Sequence, residues 1–398
     1  MRVMILNTDY PAFLRDLVER HQGFAEASYA KQLQLRNESL FGVFDAYSHG
    51  FQANGEEAWE VHANNGLMQR RWMIEHGLQA PRGSARRPSR LSRLARRVAR
   101  RLRMVRQDTR HTLLSPFDVA PWDLGEMLLA RVAHDRPDVV LNHAVSEIGS
   151  DLLERMRPHT RLIVGQIASP LPEAEDYRAY DLMVSSLPNF VAYYEQRGLQ
   201  AHLNCLAFDP RVLEAIGPLQ RTVEVSFVGS LSRAHAGRVA LVEHLAARSD
   251  IAIWGNGVER LDADSPVRAH YQGEAWGADM FRVLGRSRIT VNHHIGIAGP
   301  HANNMRLFEA TGMGALLITD RKSDIGELFE PGREVVCYDS PQECLELIDY
   351  YRRHESERDR IADAGQRRTL RDHTYRQRTE GLAQIFREQL VQRGQGVQ

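Results

Sequence analysis

Asn303-Asn304-Met305-Arg306-Leu307-Phe308-Glu309-Ala310-Thr311-Gly312-Met313-Gly314-Ala315-Leu316-Leu317-Ile318-Thr319-Asp320 is the stretch whose reading decides the fold. It joins a polar loop, flanked by Gly296, Gly299 and Pro300, to a short helix, and past Gly314 it becomes an apolar strand. Arg306 and Glu309 are one turn apart on one helical face. A helix start offers unpaired N–H groups and the positive end of a dipole, so a phosphate can dock there while Arg306 adds a bidentate cation. The Glu309 carboxylate can accept hydrogen bonds from a ribose or sugar diol. These parts describe a pocket for a phosphate-bearing ligand with vicinal hydroxyls.

Outward from that stretch the chain reads as two successive α/β halves. In the first, Val3 to Leu6 is an apolar strand leading into the polar loop Asn7-Thr8-Asp9-Tyr10, where a parallel sheet presents its binding edge. Further strands are expected at Ala58 to Val61, Val139 to Asn142, Leu162 to Ile167 and Leu182 to Ser185. The prolines and glycine from Phe208-Asp209-Pro210 to Gly217-Pro218 break this pattern and suit a hinge, which places the boundary between residues 1–215 and 216–398. The second half restarts with Glu224-Val225-Ser226-Phe227-Val228-Gly229-Ser230, a strand running into a small-residue turn. Backbone N–H groups of Gly229 and Ser230 are expected to approach a pyrophosphate, with Arg233, His235 or Arg238 to neutralise it; a purely structural need for glycine in a tight turn accounts for the same residues equally well. Strands at Ile251 to Trp254, Ile289 to Asn292, Ala315 to Thr319 and Val335 to Tyr338 complete a five-stranded second sheet.

Composition sets the outer bounds. At 398 residues with 43% hydrophobic content, the chain exceeds one ordinary core and fits two domains. Cys205, Cys337 and Cys344 have neither metal-ligand nor disulfide-framework spacing, which agrees with a reducing cytosol. Met1 to Asn7 is too short an apolar run for a signal peptide and no segment approaches a membrane span, so a cytoplasmic protein is expected, soluble or peripheral at the inner face of the membrane. The net charge of zero conceals an insertion, residues 82–110, with 12 Arg against the single acid Asp108. Leu91, Leu94, Val98, Leu102 and Val105 recur there at helical spacing, the pattern of a basic amphipathic helix. Such a helix either packs its stripe on its own domain or meets an anionic membrane surface or lipid acceptor. The run lacks aromatic stacking platforms and any nucleic-acid motif, so no nucleic-acid partner is expected.

The run from Trp276-Gly277 through Asn292-His293-His294, Asn303, Met305-Arg306-Leu307-Phe308-Glu309-Ala310 and Gly312 to His373-Thr374-Tyr375 resembles the donor domain of the spore-maturation CgeB-like glycosyltransferases. The likeness is sharpest over residues 223–380 and weaker over 1–215. It implies GT-B architecture: two Rossmann-like domains facing each other across a cleft, with the last helix crossing back to the first domain. It also implies a nucleotide-sugar donor, with no separate cofactor and no metal, and a glycan, lipid-linked glycan or protein as acceptor. On this resemblance Glu309 holds the donor ribose, and His235 and Arg238 meet its phosphates. Many relatives carry a glutamate eight residues before the one that Glu309 matches, and this chain has His301 there. The resemblance favours a retaining reaction and leaves uridine, guanosine or deoxythymidine open as the nucleoside.

The expected site is therefore Arg306 and Glu309 as catalytic residues, with Gly229, Ser230, His235, Arg238, His294, His301 and Asn303 around the donor. Asp9, His143, Glu147 and Gln166, at or after strand ends of the first half, are the candidates for orienting an acceptor hydroxyl. His293, His294 and His301 lack ligand spacing and a carboxylate cluster, so they read as pocket hydrogen-bonders. Asp324, Glu327 and Glu330 read as an ordinary acidic helix start. Two other functional classes fit the same plan: a nucleotide-sugar epimerase, which needs no acceptor, and a non-catalytic scaffold associated with a membrane or nucleic acid.

Overall fold

The computed structural model describes residues 1–79, 113–117, 119, 121–171, 176–231 and 236–395. The Arg-rich segment 82–110, Arg233 and His235 lie outside the described residues.

Eleven strands are described, in two sheets. β1 (Arg2–Asn7), β2 (Glu57–His62), β3 (Val139–Asn142), β4 (Leu162–Gln166), β5 (Leu182–Ser185) and β6 (Ala201–Leu203) form a parallel sheet in the order β2-β1-β3-β4-β5-β6. β7 (Val223–Val228), β8 (Ala252–Trp254), β9 (Ser287–Asn292), β10 (Leu316–Asp320) and β11 (Val336–Tyr338) form a second parallel sheet in the order β11-β10-β9-β7-β8. The central strands are buried along almost their whole length, as unbroken apolar runs covered by helices on both faces require. β6 is the one strand that the apolar pattern does not announce: it is a three-residue edge strand without a fully buried position.

Each sheet reverses its winding once, between β1 and β3 in the first and between β7 and β9 in the second. Ligands of open α/β sheets sit outside the carboxyl ends of the strands at such reversals.

The two lobes share an apolar cluster that runs from Val3 and Ile5 of β1 through Tyr47, Phe51, Phe208, Tyr375 and Phe386 to Leu307 and Phe308. Residues 204–222 carry the chain between the sheets, and Phe208 forms a bridge with Thr374 on the way. The terminal helix Tyr375–Gln395 packs on the Ala46–Ala53 helix of the first lobe, with Phe51 and Phe386 stacked at 5.9 Å and Arg393 paired with Asp181 at 2.5 Å. The lobes also meet where Ala278 N–H donates to Ser39 O at 2.9 Å and where Asn189 donates to Ile297 O at 3.1 Å. No helix of the described residues is long and apolar enough to cross a membrane.

Candidate active site

Arg238 spans the reversal of the second sheet. Its guanidinium donates to Ser230 O, beyond β7, at 3.3 Å and to His293 O, beyond β9, at 3.0 Å. Arg306 reaches the same edge, donating from Nε to Val228 O at 3.1 Å and from Nη1 to Glu309 at 2.7 Å. Burial, helped by the neighbouring charge of Arg306, lowers the Arg238 guanidinium to about 10. Two half-buried cations that repel one another across a strand reversal, with Glu309 bound to one of them, form a place for an anion. Glu309 is buried, which raises its pKa against the opposing pull of Arg306.

The loop after β9 lies between the lobes, because Ile295 and Ile297 pack on the first-lobe core. His294 is buried on this loop, its Nδ1 2.7 Å from Asp320 Oδ1 at the end of β10, and Asp320 also accepts the His294 N–H at 2.9 Å. His294 Nε2 has no partner. His301 repeats the arrangement: its Nδ1 lies 3.0 Å from Asp324, whose other oxygen takes the Ala302 N–H at 2.6 Å. Asn303 follows, buried at the mouth of the Met305–Gly312 helix.

Four expectations are corrected. Gly229 does not offer its N–H to a ligand, since that group donates to Trp254 O at 3.0 Å; the pairing of β7 with β8 continues one residue beyond the strand. The glycine pair there serves close packing, a Cβ at Gly255 coming within 1.8 Å of Gly229 O. The start of the Met305–Gly312 helix is not wholly open, because the Asn304 side chain caps it by accepting Leu307 N–H at 3.0 Å. Asp324 is more than an acidic helix start, since it holds His301. Asp9 is not poised at a strand end: it turns into the first lobe and pairs with Arg36 at 2.5 Å and His62 at 3.0 Å, leaving its side chain 1% exposed. These partners hold it well below the usual carboxylate range despite burial.

The other first-lobe candidates sit at the reversal of the first sheet. His143 follows β3, with Nδ1 3.0 Å from Asn7 Oδ1 at the end of β1, and its ring meets Tyr47 edge-on. Gln166 ends β4 and donates to Tyr47 OH at 2.5 Å. Glu147 lies further out, half-buried in the next turn. The residues missed from sequence are Tyr47, Asn7, Glu60 and Tyr375. Tyr375 is buried between the lobes, and that burial first, with Tyr47 and Glu60 of the first lobe and Glu309 of the second, raises its phenol well above the usual range. A cavity of about 540 Å³ lies beside the Asp209–Pro210 crossing with Tyr375 in its wall; its Arg211 is paired with Asp209 at 2.6 Å, so that guanidinium is already neutralised.

The family described as glycosyl transferase-like matches residues 235–384. The whole structure superposes on AviGT4, a glycosyltransferase involved in avilamycin A biosynthesis, at 15% identity over 98% of either chain with a TM-score of 0.54. It superposes similarly on a glycosyltransferase from Rickettsia africae (12% identity, 98% of this chain and 99% of that one, TM-score 0.56). The same holds for Anabaena HepE in complex with UDP (12% identity, 98% and 100%, TM-score 0.54). A comparison with curated protein sequences finds no match. The superpositions establish the fold as GT-B, two parallel α/β lobes about a cleft. With the family match across its second lobe, the chain is a glycosyltransferase of GT-B fold.

Proposed function

We propose that the second lobe, residues 216–398, binds a nucleotide-sugar donor and that the first, residues 1–215, presents an acceptor hydroxyl to it, in the manner of the CgeB-like enzymes. The observation that carries this reading is the placement of Arg238 and Arg306 together at the β7–β9 reversal, with Glu309 beside them. The diphosphate lies against the two guanidiniums, and Glu309, Asn303, His294 and His301 surround the ribose and the transferred sugar. Ser230 and His235 complete the phosphate side.

Departure of the diphosphate puts positive charge on the sugar and negative charge on the leaving group. Fixed cations aimed at the leaving oxygens lower that barrier by about 3–4 kcal/mol for each well-placed donor. Arg238 and Arg306 fill the role that a divalent cation would otherwise play, so transfer is metal-independent. Retention of the anomeric configuration accords with the state of the first lobe: Asp9 is neutralised by Arg36, and the departing phosphate oxygen takes the acceptor proton. Closure of the lobes excludes water as a competing nucleophile. The Arg-rich segment 82–110 directs the enzyme to an anionic membrane surface at the cytoplasmic face, where a lipid-linked or surface glycan is the acceptor.

Anabaena HepE has also been captured with UDP-glucose, which makes that donor the first probe. Thermal-shift and calorimetric titration with UDP-, GDP- and dTDP-sugars in the presence of EDTA are expected to show saturable binding, lost in Arg238→Ala and Arg306→Ala. No binding by any of them, or stereochemical conversion of the donor without acceptor, overturns the proposal.

A further inference from the structure

Glu60 is a buried carboxyl, 2% exposed, in the middle of a sheet edge. Among the described residues it makes no ion pair. Its Oε2 contacts Asn7 Nδ2, and its Oε1 accepts Ser48 N–H at 3.3 Å. Asn7 is the last residue of β1, and its other amide atom faces His143 Nδ1 at 3.0 Å, across the reversal of the first sheet. A line of three side chains therefore connects a buried acid to an imidazole at the position where a ligand of this lobe is expected. At its far end, among the described residues, His143 Nε2 and Gln166 Oε1 are buried without a well-formed hydrogen bond, although the Gln166 amide is close enough to favour a proton on the ring.

We propose that Glu60, acting through the Asn7 carboxamide, selects which ring nitrogen of His143 carries the proton, and so whether the first lobe offers a sugar hydroxyl an acceptor or a donor at Nε2. This rests on the acceptor-side reading of His143 given above. When Glu60 is ionised it can only accept, so Asn7 turns its NH₂ to Glu60 and its carbonyl to the imidazole. His143 must then hold its proton at Nδ1, and Nε2 is a lone pair beside the equally unpartnered Gln166 Oε1: two acceptors awaiting a hydroxyl. When Glu60 is protonated, Ser48 N–H already faces Oε1, so the proton sits on Oε2 and donates to Asn7. The carboxamide turns over, its NH₂ meets Nδ1, and the imidazole proton passes to Nε2 by exchange with solvent. The bonds from Glu60 to Nδ1 are kept in either state; at Nε2 the protonated state can donate to Gln166 Oε1, whereas the ionised state leaves both atoms as acceptors until a hydroxyl arrives.

The charges around the acid leave this choice open near neutrality. Arg36 and Asp45 act on Glu60 in opposite directions, and Tyr47 and Tyr375 face it as neutral phenols. Burial dominates and raises the carboxyl to about 8. Burial also holds the His143 imidazole down at about 4, against the Gln166 amide, so the ring is neutral in both states and only its tautomer changes. Glu60 and Asn7 are positioning residues; His143 is the group that meets the sugar.

The test is ¹⁵N NMR of the full chain labelled at histidine, with His143 identified by its loss in His143→Ala. In the wild type the His143 nitrogens should exchange roles as pH is raised through about 8, from Nε2–H to Nδ1–H. Glu60→Gln, whose NH₂ donates to Asn7 at every pH, should hold Nε2–H throughout; Asn7→Asp, which accepts from Nδ1 at every pH, should hold Nδ1–H. One tautomer common to all three proteins, or imidazolium above pH 6 in the wild type, overturns the inference. Should Glu60→Gln fail to fold, the wild-type titration and Asn7→Asp decide alone. Release of UDP from UDP-glucose separates the two levels of the argument. If His143→Ala turns over at the wild-type rate, the acceptor-side reading fails; if it is impaired while the tautomer ignores Glu60, only the relay fails.

Discussion

Arg306 and Glu309 face each other one helical turn apart at 2.7 Å, with side chains 14% and 6% exposed. The pair is a coupled unit within the donor lobe. Burial favours the neutral acid at Glu309, and the charge of Arg306 pulls against it. Arg306 in turn is fixed by Val228 O, so the same cation holds a strand end, a carboxylate and the proposed phosphate. Removing one member of such a buried pair strands the other, at a cost of about 3–5 kcal/mol. Arg306→Ala should therefore lower both stability and donor affinity, and Glu309→Gln, which keeps the shape, should spare most of the stability while weakening the hold on the donor diol. Chemical denaturation beside calorimetric titration with UDP-glucose checks both; full donor affinity in either variant contradicts the assignment.

Asp9 and Glu60 are buried acids of the first lobe with opposite pKa shifts, and stability should respond to pH with opposite signs. Asp9 lies below its unfolded value because Arg36 and His62 favour its charge. Its contribution is present above about pH 4 and is lost as pH falls through the folded value. Glu60 lies above its unfolded value, at about 8, so its contribution is full in acid and declines as pH rises toward 8. Relative to wild type, Asp9→Asn should be destabilised at neutral pH, with the gap closing below about pH 4. Glu60→Gln should gain relative stability as pH rises from about 4 to about 8 and hold that gain above it. Melting temperatures of the three proteins from pH 3 to 9 decide the matter, and parallel curves would contradict both assignments.

The fold was legible because parallel strands buried on both faces are continuous apolar runs. Val3 to Leu6, Val139 to Asn142 and Leu316 to Thr319 announce themselves in that way, and β6, short and half exposed, does not. Arg306, Glu309 and Arg238 were legible because a helix start beside a strand end is a local feature. Glu60 was not, since an acid inside a strand reads as a solvent-facing position until the partner strand and the Ala46–Ala53 helix are seen to cover it. Asp9 failed for the converse reason. Its position after β1 was right, but Arg36, 27 residues on, turns it inward, and no periodicity reports such a pairing.

Gly277 pins the lobes together. Its φ of +50° lies in the region that favours glycine, and a Cβ there would come within 2.0 Å of Ser39 O in the opposite lobe. The contact is backbone on both sides and cannot relax by a rotamer change. Gly277→Ala should displace the seam and weaken the Ala278–Ser39 hydrogen bond, with about 1–3 kcal/mol of strain. A larger radius of gyration in small-angle scattering, together with slower turnover of UDP-glucose, is the expected result. An unchanged scattering profile would show that this contact does not set the separation of the lobes.

Asp324 gives the most selective test of the donor site, because it acts on the sugar end alone. Its Oδ2 holds His301 Nδ1 and its Oδ1 holds the Ala302 N–H, so the carboxylate fixes both the ring and the loop that carries it. With Nδ1–H directed at Asp324, the neutral imidazole presents Nε2 as an acceptor, the correct partner for a sugar hydroxyl. Asp324→Asn can keep the backbone bond through its carbonyl, but then offers NH₂ to the ring. His301 is driven to the opposite tautomer, and Nε2 becomes a donor. Affinity for UDP, which is proposed to lie against Arg238 and Arg306, should be unchanged, while the added affinity of UDP-glucose over UDP should fall by about tenfold, the worth of one or two hydrogen bonds. Equal losses for UDP and UDP-glucose would place the effect on the loop as a whole; no loss for either would remove His301 from the site.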